Sequence, residues 1–222
     1  MTFNNMVDRT SRTEEKGPEG ETEVSGGLQI TLEKVRELIR IAKKGGYKYA
    51  ADNLNHYVFK NGRRKKIPAR AINKEKFIIR HLRESHLPQF AKGAEKRLRS
   101  GALKVNGPSI SMFYLNSVQA PLGTDLYYAL GGWTIRSEVI VVATKKFYDG
   151  SVLIKFLKWD VSCSDEYNWD KGKATFVQLY GTISDEEMHK LETSGPAHSY
   201  SIEIEKYNTL YILNIDKIAV NP

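Results

Sequence analysis

The residues best suited to chemistry follow the most regular apolar run of the chain. Residues 162–170 form a polar cluster with three carboxylates beside two aromatic rings. Carboxylate oxygens can bind Mg²⁺, and a carboxylate whose pKa is raised by its neighbours can act as a general base. The alternative interpretation is a surface turn with a half-buried Tyr and Trp. Asp165, Tyr167 and Asn168 are therefore the first candidate site residues.

Two β-branched apolar runs must position this cluster. Residues 133–143 and 151–161 flank Asp149-Gly150. This dipeptide predicts a hairpin, because both central positions of a type I′ turn need φ > 0. The second run carries apolar residues on both faces, which predicts a central strand that is buried on both sides. We expect the polar cluster to lie at the end of this strand.

Several other kinds of site are not expected. The single Cys163 excludes an internal disulfide and a multi-cysteine metal cage, but it does not fix the compartment. The five histidines include no pair at a zinc-like spacing with a third ligand. Of these, His81 and His86 are five residues apart, so we expect them to occupy different helix faces and to face solvent. P-loop, GxGxxG and GxSxG motifs are absent.

The charge of the chain is unevenly distributed. The net charge is +8, and residues 28–105 hold 21 basic and six acidic residues, whereas residues 106–222 hold ten basic and 14 acidic residues. A basic segment can meet phosphate, a membrane surface, nucleic acid or an acidic partner. Alternatively, its Lys and Arg simply solvate short amphipathic helices. Its aromatic residues fall mostly at helix-core spacing, so nucleic acid is not the expected partner, although it stays open.

The order of the patterns predicts an α+β fold. Residues 1–27 lack a hydrophobic period and are expected to be a flexible leader. Residues 28–105 form a basic helical region, and residues 106–222 form an antiparallel β region with one helix between Ser184 and Gly195. The strands are predicted at 109–117, 125–130, 133–146, 151–162, 174–180, 198–206 and 208–216. We expect the N-terminal helices to pack on an antiparallel, half-open β-barrel-like sheet, with residues 28–222 forming one compact domain.

Membrane insertion is not expected from the sequence. The chain has no apolar run of 18 residues and no apolar stretch near its first residues. Neither a spanning helix nor a cleavable signal peptide is therefore predicted.

Two short segments are similar to motifs of a known family. Residues 50–62 read AADNLNHYVFKNG, which resembles the A…HYL-x-GNG opening of the colicin M catalytic domain. Residues 162–169 read SCSDEYNW, which resembles the S-x-D-x-YDF motif that ends a strand pair in that family. The helical segment EMHKL and two last strands complete the resemblance, which covers residues 47–216.

This resemblance implies a half-open β-barrel with helices and a Mg²⁺-dependent phosphodiesterase that cuts the peptidoglycan precursor lipid II. It implies that Asp165 is the essential aspartate and a metal ligand, and that Tyr167 is the motif tyrosine. Asn168 replaces the second aspartate, and Lys171 and Lys173 lie where the family has a catalytic His-Arg pair. Asn cannot act as a general base, and the missing histidine removes the usual acid/base group.

Three interpretations follow from the resemblance. In the first, the chain is a toxin domain delivered by other machinery. It keeps an anionic lipid-linked pyrophosphate as substrate, with Asp165 on Mg²⁺ and Lys171 or Lys173 on phosphate. Such a toxin is made in the cytoplasm, secreted or delivered, and acts in the periplasm of a target bacterium. Its partners would be the membrane surface and an immunity protein.

In the second interpretation the scaffold is kept without catalysis, as a binding or structural module. In the third, a different enzyme uses His189 or His198, brought to the site by the fold. Fold similarity does not itself carry function, so enzymatic activity stays open. If the chain is active, a phosphodiesterase-type hydrolase is expected.

Overall fold

A computed structural model describes residues 32–169, 174–177 and 181–222 of the chain, and these form the predicted α+β fold. The predicted leader, residues 1–27, lies outside the described residues. The helices are α1 Leu32–Lys44, α2 Lys48–Phe59, α3 Lys76–His81, α4 Leu87–Arg99, α5 Asp125–Leu130, α6 Asp185–Thr193 and α7 Leu210–Leu213. A 3₁₀ turn lies at Ala69–Ala71, and a π-helical turn at Leu82–His86 joins α3 to α4. No described helix is long and apolar enough to cross a membrane.

The strands form one mixed sheet and one separate pair. They are β1 Lys65–Ile67, β2 Ile110–Gln119, β3 Gly132–Lys146, β4 Val152–Tyr167, β5 Ala174–Val177, β6 Gly181–Ser184, β7 Tyr200–Asn208 and β8 Lys217–Val220. The sheet order is β1-β7-β4-β3-β2, β8 also pairs with β4, and β5 pairs with β6. Within the described residues the sheet is open, ending at β1 and β2. It is not purely antiparallel, because β1, which the sequence did not predict, runs parallel to β7.

The chain divides into two compact units. Their residues are Met1–Arg63, Ala120–Gly131 and Glu166–Ser201 in the first unit, and Arg64–Gln119, Gly132–Asp165 and Ile202–Pro222 in the second. The described part of the first unit contains α1, α2, α5, α6 and the β5–β6 pair, and the second contains α3, α4 and the body of the six-stranded sheet. The domain bounds predicted from the sequence stay a prediction.

Residues 125–130, predicted as a strand, form α5. The Thr124 hydroxyl caps this helix by accepting a backbone N–H at 3.1 Å, and Gly131 ends it with φ +67°. The Asp125 carboxylate also accepts two backbone N–H groups at the start of α2, each at 2.8 Å. Capping therefore outweighs the apolar pattern that predicted a strand. The predicted last strand, 208–216, is also wrong: α7, Leu210–Leu213, lies within it and β8 starts at Lys217.

The predicted hairpin between β3 and β4 is present, but its turn is not of type I′. Gly150 has φ +87°, whereas Asp149 does not have a positive φ. The Gly150 N–H donates to the Phe147 carbonyl at 3.1 Å, and the Phe147 N–H donates to the Ser151 carbonyl at 2.8 Å. Asp149 Oδ1 accepts from the backbone and the hydroxyl of Ser151 at 2.9 and 2.7 Å. These bonds select a three-residue loop instead of the shorter turn.

The buried apolar residues of strand β4 lie on one face, not on both as predicted. They fall into two sets, Val152, Ile154 and Phe156, then Trp159, Val161 and Cys163. On the opposite face the buried residue is polar: Asp160, whose carboxylate contacts Lys158 at 2.7 Å. Phe156 pairs with Val141 and Lys158 pairs with Ile140, so Leu157 is an extra residue in a β-bulge. The bulge shifts the alternation by one residue and keeps the same face towards the core. The apolar residues that the sequence pattern assigns to two faces therefore lie on one face, because their alternation shifts by one residue at the bulge.

Deletion of Leu157 should harm the fold far more than its substitution does. Without the bulge, one of the two buried sets must turn to the opposite face of the sheet. Leu157→Ala removes a side chain that is 49% exposed, and should change the free energy of unfolding by about 0.5 kcal/mol or less. Urea denaturation followed by tryptophan fluorescence compares the two variants. Cooperative, wild-type-like unfolding of the deletion variant would contradict this role of the bulge.

The π-helical turn brings two histidines together. The Leu87 N–H donates to the Leu82 carbonyl, five residues back, and this wider turn places residues five apart on one face. The rings of His81 and His86 lie 5.4 Å apart, and their Nε2 atoms lie 2.9 and 2.7 Å from Asn116 Oδ1. His86 is fully buried and His81 half-buried. The prediction of two solvent-facing histidines on different faces is wrong, because it assumed regular α-helical geometry.

Burial makes His86 hard to protonate. It lowers the pKa of His86 to about 4, although the hydrogen bond with Asn116 acts in the opposite direction. His86 Nδ1 has no hydrogen-bond partner among the described residues. Protonation of this ring therefore adds a buried positive charge. It also adds an N–H donor at Nδ1 that has no acceptor.

We expect stability to fall as the pH decreases from 6.5 to 4. The unfolded chain binds a proton at His86 near pH 6.5, whereas the folded chain does so near pH 4. The stabilisation is thus complete above pH 6.5 and is lost below it, with a limit of about 3 kcal/mol for this site. Urea denaturation at pH 7, 5.5 and 4 should show a smaller loss for His86→Gln than for the wild type and for His81→Gln. Equal losses in all three proteins would contradict the assignment.

Candidate functional site

The first predicted site residues lie at the end of β4. Asp165 follows the last β4 residue that is paired with β3. Asp165 and Tyr167 are half-buried, whereas Asn168, just beyond the strand, is exposed. Lys171 and Lys173 lie outside the described residues, and their predicted contact with phosphate stays a prediction.

Tyr167 belongs to an aromatic cluster in the first unit, formed by His56, Tyr57, Tyr167, Trp169 and Tyr200. Its ring stacks on Tyr200, with centroids 5.2 Å apart and planes at 27°. It also lies 5.8 Å from the Tyr57 ring and 6.3 Å from the Trp169 ring, and the His56 ring lies 4.4 Å from Tyr200. The cluster therefore joins both segments that carry the family resemblance, although Tyr57 and Tyr167 are 110 positions apart in the sequence.

Tyr57 holds the aromatic cluster to α6. Its side chain is fully buried, and its hydroxyl lies 3.3 Å from the Met188 carbonyl and 3.5 Å from Glu192 Oε2. Its backbone carbonyl accepts the N–H of His198 at 2.9 Å. Burial, together with the negative charge of Glu192, raises the pKa of Tyr57 well above its usual value. The hydroxyl is therefore a permanent donor in the neutral pH range.

The turn after α2 packs against the same part of the first unit. Asn61 and Gly62 both have positive φ, 51° and 67°. A Cβ on Gly62 would lie 3.2 Å from the Ser199 carbonyl oxygen and 3.3 Å from His198 Cβ. Glycine is favoured here by both the backbone conformation and the close approach. This explains the Asn-Gly pair in the first motif segment.

An acid/base pair lies on α6. His189 Nδ1 is 3.2 Å from Glu192 Oε2, and Glu192 Oε1 accepts the Ser199 N–H at 2.8 Å. Burial alone would raise the pKa of Glu192, but hydrogen bonds with Ser199 and His189 together lower it. Glu192 is therefore an ionised acceptor, which places the His189 proton on Nδ1 and leaves Nε2 able to accept one. The His189 side chain is 36% exposed, so water or a substrate can reach it.

The described residues do not form a cage for Mg²⁺. They include no group of three His, Cys, Asp or Glu side chains that could hold a metal ion. Protein Mg²⁺ sites commonly combine one or two carboxylates with water and substrate phosphates. The Mg²⁺ requirement that the resemblance implies, with Asp165 as ligand, stays a prediction.

Glu192 and Tyr57 were not among the site residues predicted from the sequence. Glu192 lies three residues after His189 on a predicted helix, a spacing that places both side chains on one face. That spacing is the signal that could have identified the pair. Tyr57 stands in the first motif segment, but only the folded structure shows that its hydroxyl faces α6.

Among known proteins, the chain shows partial similarity to solved structures only. No family model and no curated protein matches the chain. It is similar to the truncated bacteriocin syringacin M from Pseudomonas syringae pv. tomato DC3000, with 17% identity over 78% of this chain and a TM-score of 0.43. It is also similar to PaeM, a colicin M-like bacteriocin produced by Pseudomonas aeruginosa, with 16% identity over 80% of this chain and a TM-score of 0.45. A third similar structure is pectocin M2, with 14% identity over 86% of this chain and a TM-score of 0.38.

The chain spans 60%, 53% and 59% of the lengths of these three proteins, in the same order. Because the identities are low and every TM-score is below 0.5, the similarity assigns no activity, substrate or partner to this chain.

Tyr57→Phe should destabilise the chain. The substitution keeps the ring in the aromatic cluster but leaves the Met188 carbonyl and the Glu192 carboxylate without this donor. We expect a loss of about 1 kcal/mol in the free energy of unfolding, measured by urea denaturation. Tyr148→Phe, at a fully exposed turn position, is the matched control and should change nothing. Equal stability of the two variants would contradict the proposed role of the Tyr57 hydroxyl.

Proposed function

We propose that this chain is a bacterial antagonism toxin domain that hydrolyses an anionic lipid-linked pyrophosphate in a phosphodiesterase-type reaction. The observation that carries the proposal is the packing of the two motif segments through Tyr57 and Tyr167, with Tyr57 also bonded to Glu192. Glu192 in turn contacts His189. The pair thus offers the acid/base group that the motif itself lacks.

The chemistry of the pair suits hydrolysis by water. His189 Nε2 accepts a proton from the attacking water as the new P–O bond forms. The P–O bond to the leaving group breaks, and its electron pair stays on the leaving oxygen. Glu192 stabilises the positive charge on His189 through the Nδ1 contact. His189 then gives its proton to the leaving oxygen, which restores the starting state.

The proposed substrate agrees with the charge of the chain. Residues 28–105 carry 21 basic and six acidic residues, which complement phosphate groups at a membrane surface. Asp165 enters the proposal as the essential motif aspartate, and Lys171 and Lys173 as phosphate contacts. The proposal places the activity in the periplasm of a target bacterium after secretion or delivery. An immunity protein in the producing cell is the expected partner.

A non-catalytic binding module is the second candidate function. One observation favours it: Asn168, which cannot act as a general base, stands at the position of the family's second aspartate. Such a module would bind an anionic partner through the same basic segment, without turnover.

Directed expression in a test bacterium distinguishes the candidates. The wild-type chain, fused to a periplasmic export signal, should kill, and the same chain kept in the cytoplasm should not. His189→Gln should reduce killing by at least about 100-fold, the usual contribution of acid/base catalysis. Asp165→Ala should abolish killing, as expected for the essential motif aspartate. His81→Gln, with its histidine in the second unit, is the matched control and should kill like the wild type.

Each outcome supports a different candidate. Undiminished killing by Asp165→Ala or by His189→Gln would overturn the enzyme as proposed. No killing by the wild type in either compartment would favour the binding module. Salt-sensitive retention of the purified chain on DNA or RNA would instead favour a nucleic-acid partner, because phosphate contacts weaken steeply with salt.

A further inference from the structure

Strand β2 is an open edge of the sheet in the second unit. It is the last strand of the sheet among the described residues, and it pairs with β3 over ten residues without a register shift. Its sequence, ISMFYLNSVQ, contains no charge and no proline. Edge strands usually carry charges, prolines or bulges, because their unpaired N–H and C=O groups can otherwise bind another strand. β2 lacks these protections and can accept a further strand.

The exposed face of β2 is symmetric about Tyr114 over seven residues. Its outward residues are Ser111, Phe113, Leu115, Ser117 and Gln119, and the two large apolar side chains, Phe113 and Leu115, are 66% and 53% exposed. From Ser111 to Ser117 the outward residues are polar, apolar, apolar and polar, an order that reads the same in both directions. In an antiparallel pair of two such strands, Phe113 lies opposite Leu115, and Ser111 lies opposite Ser117. The strand is thus complementary to a second copy of itself.

We infer that β2 pairs antiparallel with β2 of a second copy of this chain, about a two-fold axis at Tyr114. A two-fold interface uses the same surface on both copies, which is what the symmetric pattern provides. Pairing satisfies the open backbone groups of both edges and brings two exposed Phe113–Leu115 pairs together. The inference is independent of the proposed hydrolase activity.

The charges on the neighbouring strand are compatible with this register. In the β2–β3 pairing, Glu138 lies beside Phe113 and Arg136 lies beside Leu115. In the proposed dimer the four neighbouring strands are β3 and β2 of one copy and β2 and β3 of the second. A row of adjacent side chains across these strands runs from Glu138 through Phe113 of one copy to Leu115 and Arg136 of the second copy. The ends of this row, and of its symmetry mate, therefore carry opposite charges. β2 itself adds no repulsion, because it is uncharged.

Position-specific cross-linking tests the register. Ser111→Cys and Ser117→Cys chains, when mixed, should be joined by a short thiol cross-linker, since these positions are opposite each other. Neither variant alone should be cross-linked, because equal positions in the two copies lie about 20 Å apart at six residues of strand. The wild type, which contains only the buried Cys163, is the control.

Sedimentation equilibrium of the full chain tests the association itself. The wild type and Tyr148→Lys, a control at an exposed turn, should form dimers with the same dissociation constant. Phe113→Lys should weaken the dimer at least tenfold, because it places lysine opposite Leu115. A mixture of Phe113→Lys and Leu115→Glu chains should associate again, because lysine then faces glutamate in one row.

Two results would overturn the inference. One is a wild-type chain that stays monomeric at all protein concentrations up to a few hundred micromolar. The other is a dimer that persists in Phe113→Lys and shows no preference for the mixed Ser111→Cys and Ser117→Cys cross-link. In the second case the two copies associate through a surface other than β2, and the partner of β2 is not a second copy of this chain.

Discussion

The buried hydroxyl of Tyr57 is the constraint on which the first unit depends. A phenol inside a protein must find hydrogen-bond partners, or its burial costs free energy. The partners here are a carbonyl and a carboxylate of α6, while the Tyr57 carbonyl binds the N–H of His198. One side chain therefore links α2, α6 and the segment before β7. The position of its ring then fixes where Tyr167 can pack.

The proposed acid/base chemistry depends on the same constraint. Glu192 is held by Tyr57 and by the Ser199 N–H, so its carboxylate is oriented before it meets His189. A histidine with one nitrogen bound to a fixed carboxylate is a typical general base. The second motif segment lacks a histidine at the position expected from the resemblance, and the proposal assigns its role to His189 on α6. Function in this chain is therefore proposed from the folded arrangement and not from the motif alone.

The sequence predicts those features that depend on local pattern. The helices of the first half, the β3–β4 hairpin and the α+β class follow from periodicity and turn residues. The errors arise where a non-local contact, or a local irregularity of a strand or helix, outweighs the periodic pattern. Asp125 binds the start of α2, which favours a helix over a strand, and the extra residue Leu157 reverses the phase of β4. A π-helical turn aligns the buried His86 with His81, and periodicity does not encode such a turn.

The role of the α6 pair can be measured by ³¹P nuclear magnetic resonance, with a lipid-linked pyrophosphate as substrate and the purified full chain as catalyst. New phosphate resonances should appear with the wild type, and their rate of formation should be at least about 100-fold lower for His189→Gln and Glu192→Gln under the same conditions. Turnover by both variants at the wild-type rate would show that the chemistry does not use His189 and Glu192.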